Sequence, residues 1–132
     1  SEYFDRNCFI GASNIVRVEM ARRYEIGVQN LCWGNDFPHP EGTWPHTREF
    51  LAAVFCDIPR DETAAMLGTN AADVYGFDVG ALRTLVDRIG PTPDELGQDE
   101  DPTAKWADAK RAGRPWLTGV ETWPTATAPG QT

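Results

Sequence analysis

Apolar positions along this chain switch between strand-like runs and helical spacing. Residues 7 to 10, Asn-Cys-Phe-Ile, are a short β-prone run closed by Gly11 and Ala12, which predicts a buried strand of the parallel kind. Ser13 or Asn14 then stands where a helix cap belongs. From Ile15 to Ile26 the apolar positions Ile15, Val18, Met20 or Ala21, and Tyr24 recur at helical spacing. Arg17, Glu19, Arg22, Arg23 and Glu25 fill much of the rest, and Gly27 supplies a stop. A surface-packed amphipathic helix is expected. Val28 to Trp33 is a second apolar segment, centred on Leu31-Cys32-Trp33 and ending at Gly34-Asn35-Asp36. Strand, helix and strand in this order make one βαβ unit.

The next stretch, Asp36 to His46, carries Pro38, Pro40, Pro45 and Gly42 and predicts an ordered, irregular loop. Thr47 is placed to cap a helix from Arg48 to about Phe55, with Phe50, Leu51, Val54 and Phe55 on one face. Pro59 opens another turn. Asp61 to Leu67 predicts a short helix stopped by Gly68, and Ala71 to Tyr75 another, started by Thr69 or Asn70 and stopped by Gly76. Asp78 caps a longer helix through Leu82, Leu85, Val86 and Ile89, ended by Gly90 and Pro91. The folded unit is expected to span residues 1–90. Residues 91–132 are broken by six prolines and concentrate acid at Asp99-Glu100-Asp101, which predicts an extended arm with a short helix near Ala104 to Ala112. Trp106, Trp116, Leu117 and Trp123 are large enough to need a surface to lie on. The last residues, from Thr125, are a low-complexity tail expected to be mobile. There is no internal repeat.

Composition narrows the class. The chain has 132 residues, 41% of them hydrophobic, and 20 acids against 12 bases give a net charge of −8. That balance suits a soluble globular domain and repels a phosphate backbone or an anionic bilayer, so neither nucleic acid nor membrane is an expected partner. No apolar stretch approaches the roughly 20 residues of a membrane helix, and Ser-Glu-Tyr-Phe-Asp has no signal-peptide pattern. A cytoplasmic setting is expected. Cys8, Cys32 and Cys56 are odd in number and lack metal-site spacing, which predicts buried, reduced thiols. The opening at Ser1 suggests the C-terminal part of something longer.

Two parallel strands do not make a complete domain, because parallel sheets are normally covered on both faces and bare edges invite association. A Pro-rich loop straight after a strand's carboxyl end is also where α/β enzymes place functional groups. Asp36 is the leading candidate: a carboxylate there serves as a metal ligand or general base, or else caps the loop in an Asx-type turn. His39, held between Pro38 and Pro40, suits a ligand, a proton donor, a substrate contact or a loop-ordering hydrogen bond. Glu41 and His46 are weaker candidates, and Trp44 fits loop packing better than substrate stacking. The two histidines form neither an HxH nor an HExxH pair.

The run Trp33-Gly-Asn-Asp-Phe-Pro-His-Pro-Glu-Gly-Thr-Trp-Pro45, followed by Leu67-Gly-Thr-Asn-Ala-Ala-Asp-Val-Tyr-Gly-Phe77, resembles the C-terminal end of an amidohydrolase-related (amidohydrolase 2) protein. This branch of the metal-dependent amidohydrolases includes aminocarboxymuconate-semialdehyde decarboxylase and related aromatic-acid decarboxylases. The resemblance covers residues 1 to about 90. It implies an α/β fold, the C-terminal portion of a (β/α)8 TIM-like barrel comprising its last two strand-helix units plus the arm. Asn7 to Ile10 would be the seventh strand and Leu31 to Trp33 the eighth. By the same resemblance Asp36 is catalytic and a metal ligand, the cofactor is a divalent ion (zinc or manganese), and His39 faces the substrate. Asn70 is structural, capping the helix that closes the barrel. The histidine ligands of the earlier strands have no counterpart here, which implies inactivity without the N-terminal part of the barrel, on the same or a separate chain. The expected function is hydrolysis or non-oxidative decarboxylation of a small carboxylic or cyclic substrate, in a homo-oligomer. The competing readings are a non-catalytic structural or oligomerisation module of that fold and an acidic binding protein unrelated to metals.

Overall fold

A computed structural model describes residues 1–98 apart from Asn14 and Glu41, together with Ala104. The Trp-bearing arm, the rest of its expected helix and the tail lie outside the described residues. The elements run α1 (Glu2–Asn7), β1 (Ile10–Ala12), α2 (Arg17–Met20), α3 (Arg23–Ile26), β2 (Leu31–Trp33), α4 (Thr47–Phe55), α5 (Arg60–Ala64), α6 (Asn70–Tyr75) and α7 (Val79–Ile89). Among the described residues β1 and β2 form one parallel pair, in register Ile10 with Leu31, Gly11 with Cys32 and Ala12 with Trp33. This is a mixed helix and strand fold with a small parallel sheet at its centre.

Several expected boundaries move. The first strand begins at Ile10 instead of Asn7, because Glu2 to Asn7 coil into α1, capped by the Ser1 hydroxyl. Ile10 and Phe9 are exposed, not buried; β1 has its one partner in β2, and neither of its faces is fully covered by the described chain. Val28 to Asn30 form a 3-10 turn, so the second strand is only Leu31 to Trp33. The Asn30 side chain explains the turn: fully buried, it donates to the carbonyls of Asp5 at 3.0 Å and Cys8 at 2.7 Å, tying the end of α1 to the entrance of β2. Cys56 is buried, while Cys8 and Cys32 are half-buried; no disulfide joins them, and burial pushes the Cys32 thiol up.

The expected single helix from Ile15 to Ile26 is two short helices broken at Ala21-Arg22, and its charged face turns inward at two points. Arg17 is 2% exposed, donates to the Val54 carbonyl at 2.9 Å and pairs with Asp57. Arg23 is also buried; its guanidinium meets Glu62 at 2.6 Å and lies over the Tyr24 ring, whose hydroxyl donates to the same carboxylate at 2.7 Å. Residues six apart on an unbroken α-helix point about 120° away from each other. The break lets both arginines face the α4–α5 layer. Burial lowers the Arg17 pKa, against the opposing pull of Asp57, so the paired carboxylate is what makes the buried cation tolerable.

The core collects around α4. Phe50, Leu51, Val54 and Phe55 face inward as their spacing predicts, against Met20, Leu31, Ile58, Met66 and Leu96. Thr47 begins α4 but does not cap it with its side chain. Beyond Pro59 the two expected helices are one continuous run: α5 passes through a π-helical turn, Ala65–Thr69, straight into α6. Gly68 therefore stops nothing, whereas Gly76, at φ 68°, ends α6 in the left-handed conformation. Within the wide turn the Asn70 amide N–H reaches the Ala65 carbonyl. The Asn70 side chain leaves its helix and donates to the carbonyls of Val28 at 2.7 Å and Leu31 at 2.8 Å. Its structural role is thus to clamp the start of β2, not to cap a helix. Asp78 caps α7 as expected, accepting from the Ala81 amide at 3.0 Å. The chain runs on past Ile89 into a turn ending at Gln98, with Glu95 paired to Arg48 at 2.5 Å. No helix among the described residues is long and apolar enough to cross a membrane.

Asn70→Ala strips the buried Leu31 carbonyl of its side-chain donor, leaves Val28 only the Leu31 amide, and is expected to lower unfolding free energy by about 1–3 kcal/mol in urea denaturation. Thr69→Ala, at the exposed neighbour, is expected to stay within about 0.5 kcal/mol. Equal midpoints for the two variants would show that the clamp does not hold the strand.

Candidate functional site

The site grows out of the end of β2. The Gly34 amide continues the strand ladder by donating to the Ala12 carbonyl at 3.1 Å, and the chain then turns sharply at Asp36. Asp36 has φ 62°, the one non-glycine residue with positive φ among those described. Aspartate tolerates that left-handed region better than most side chains, and such residues concentrate where a side chain has to be aimed.

The loop closes on itself through backbone. The His39 amide donates to the Asp36 carbonyl at 2.8 Å, Gly42 to the His39 carbonyl at 2.9 Å and Thr43 to the Asn35 carbonyl at 3.3 Å. These carbonyls crowd Gly42: a Cβ there would meet the oxygens of Asn35, His39 and Asp36 at 2.9, 3.0 and 3.1 Å. Side chains lock the same loop to α4. The Asn35 amide nitrogen donates to the hydroxyls of Thr43 at 3.0 Å and Thr47 at 2.6 Å, and the two hydroxyls lie 3.1 Å apart. Thr47 was expected as a helix cap; its hydroxyl serves the loop instead. The peptide bonds before Pro38 and Pro45 are cis.

Asp36 and His39, the two residues singled out from sequence, come together. The Asp36 carboxylate lies 3.4 Å from the His39 Nδ1, with both side chains about half exposed, at 42% and 56%. Loop closure uses the backbone carbonyl of Asp36, while its carboxylate is turned to the imidazole. Phe37 and Trp44 meet edge to face with ring centroids 5.4 Å apart and remain largely exposed, so Trp44 does pack on the loop. His46 pairs with Glu49 of α4 at 3.3 Å, and Glu41 lies outside the described residues. Sequence inspection missed Asn35, Thr43 and Phe37. The signal available was a set of short polar side chains at both ends of a Pro-rich loop, a pattern that fixes loop geometry.

Chemically the pair offers a proton acceptor and a proton-carrying imidazole open to solvent. It does not by itself fit a catalytic cation, which takes three protein ligands. Among the described residues no group of three His, Cys, Asp or Glu side chains is placed to hold a metal. Electrostatically the Asp36–His39 contact is weak, because two exposed partners are screened by water.

Gly42→Ala is expected to push the loop open and to cost about 1–3 kcal/mol, with amide chemical-shift changes running from Asn35 to Thr43. Gly68→Ala, where nothing lies within 4 Å of the added methyl, is the matched control and is expected to leave that loop unmoved. A Gly42→Ala spectrum superimposable on the parent would show that the loop has room the carbonyls deny.

A family model described as Amidohydrolase matches residues 8–77, a span that takes in both strands, the Pro-rich loop with Asp36 and His39, and the helices through Gly76. No curated protein and no solved structure matches the chain. The match covers more than half of the sequence and includes both motifs noted in it, and on that ground the chain belongs to the amidohydrolase family.

Proposed function

We propose that this chain supplies the last two strand-helix units of a (β/α)8 barrel to a metal-dependent amidohydrolase-family enzyme, and that Asp36 is its catalytic carboxylate. The supporting observation is the position of Asp36. It lies just beyond the carboxyl end of β2, in a left-handed turn locked from both sides, with its carboxylate against His39. Barrel enzymes carry their chemistry at that end of the strands.

The reaction class is hydrolysis or non-oxidative decarboxylation of a small carboxylic or cyclic substrate. Asp36 accepts a proton from the attacking water or returns one to the product, and His39, 3.4 Å away, contacts the substrate and holds the carboxylate in place. The cofactor in this proposal is zinc or manganese. One carboxylate is this chain's share of the ligand set, and the other ligands come from the N-terminal part of the barrel, on the same or a separate chain. Without that part the 132 residues are inactive. Three cysteines without a disulfide fit the cytoplasm as the setting, and a homo-oligomer is the proposed assembly. Among the described residues no further strand flanks the parallel pair, and Ile10 and Phe9 are exposed, which favours a second reading: a non-catalytic structural or oligomerisation module of the same fold.

Native mass spectrometry with elemental analysis separates the two. The enzyme reading expects one divalent ion in an assembly that contains a further polypeptide segment bearing histidines. A metal-free oligomer of this chain alone would overturn it in favour of the module. In the assembled enzyme, Asp36→Asn is near-isosteric and is expected to lower kcat by about 10²–10⁴-fold with the fold retained. His39→Ala is expected to do less harm. Full turnover by Asp36→Asn would remove Asp36 from the mechanism, and an unchanged kcat/KM in His39→Ala would leave that residue a loop-ordering role only.

A further inference from the structure

Helix α7 is amphipathic, yet none of its residues is buried. Val79, Leu82 and Val86 share one face and stay exposed. Across from them stands the run formed by α5, the π turn and α6, and between the two lies a cavity of about 710 Å³, walled on that side by Leu67 and Ala72. Its size falls in the range of cavities that enclose a small organic group. A face of this kind left in water forgoes the gain from burying its apolar area.

The continuously described chain, through Gln98, ends on that cavity. Leu96 is buried in its wall, and Gln98 is fixed beside it, its Nε2 donating to the Ile58 carbonyl at 3.0 Å and the Thr63 hydroxyl at 2.8 Å. Residues 99–132 therefore start at the mouth of the groove. They open with Asp99-Glu100-Asp101, and the groove is lined by Arg60 and by Arg83, the latter paired with Asp87 at 2.8 Å. Trp106 comes eight residues after Gln98. With Ala104 helical that tether reaches on the order of 20 Å, whereas α7, eleven residues long, measures about 16 Å.

We infer that the C-terminal segment folds back into this groove and seats the Trp106 indole against Leu82 and Val86. A tethered segment is present at an effective concentration in the millimolar range. A second copy would need roughly 800 Å² per partner to hold a stable dimer, more than one short helix face provides. The groove is then a docking site for the chain's own arm, and α7 is the middle layer between the body and that arm.

The test places a photoreactive residue in the full chain, Leu82→p-benzoylphenylalanine, in an equal mixture of ¹⁴N- and ¹⁵N-labelled protein. The expected product on irradiation links position 82 to a peptide containing Trp106, both halves carrying the same label. Trp106→Ser is expected to cut its yield roughly tenfold or more, the scale of burying one large apolar side chain. Mixed-label links would mean that a second copy fills the groove. Links to polypeptide outside these 132 residues would mean that another partner does, and links confined to residues 1–98 that the arm lies elsewhere; each of the three overturns the inference. In protein without the photoreactive group, Trp106→Ser is expected to speed amide exchange across Val79–Ile89 at least about tenfold. Unchanged exchange there would overturn it as well.

Discussion

One carboxamide holds the architecture together. The Asn70 side chain sits where a wide helical turn meets the first residues of β2. Its donation satisfies the Leu31 carbonyl at the start of the strand and adds a second donor to the Val28 carbonyl, which already accepts from the Leu31 amide. Buried carbonyls in need of donors are costly, so the helix that brings Asn70 also decides where β2 begins. From there the placement of the site follows within a few residues. The strand runs only to Trp33, and Asp36 turns immediately after it. Asn30 performs the corresponding service for α1. Two amide side chains thus do what neighbouring strands do in a larger sheet.

The second organising feature is charge taken inside. Arg17 and Arg23 carry the α2–α3 layer onto the segment from Val54 to Glu62. A guanidinium in that position is acceptable only with its carboxylate and carbonyl partners in place. Those pairings join stretches some forty residues apart in sequence, so the βαβ unit and the helices after it are held as one body. Apolar packing alone, centred on Phe50, Phe55 and Met66, does not specify that alignment so narrowly, because hydrophobic contacts are tolerant of sliding where fork-shaped ion pairs are not.

Much of this was legible beforehand, and the failures have identifiable physical causes. The face of α4, the Asp78 cap, the Gly76 stop and the strand at Leu31 to Trp33 obey local rules of period and capping, and local rules suffice for them. The helix expected from Ile15 to Ile26 broke because two arginines six positions apart both found acids in the interior, a tertiary demand invisible in a helical wheel. Gly68 looked like a terminator, but Asn70 beyond it pulled the helix onward to reach the strand. At the candidate site the proximity of Asp36 and His39 followed from their three-residue separation in a tight loop. The Asn35, Thr43 and Thr47 network that rigidifies it spans twelve positions and depends on how the loop folds back. The two-strand sheet and the family match together support the α/β reading, while the completed barrel remains the proposal for what flanks a pair that has no further strand beside it among the described residues.

The π-helical turn at Ala65–Thr69 also bears on how this lineage tolerates changes of length. A wide turn holds one residue more than an α-turn would over the same rise, the usual outcome of a single-residue insertion accommodated without breaking a helix. Deleting one of those five residues lets the turn relax to α spacing, about four residues then covering the rotation that five cover now, so Asn70 keeps its direction toward β2 and Leu31 keeps its donor. The wide turn is thus the point in this helix where the loss of one residue leaves the clamp on the strand intact.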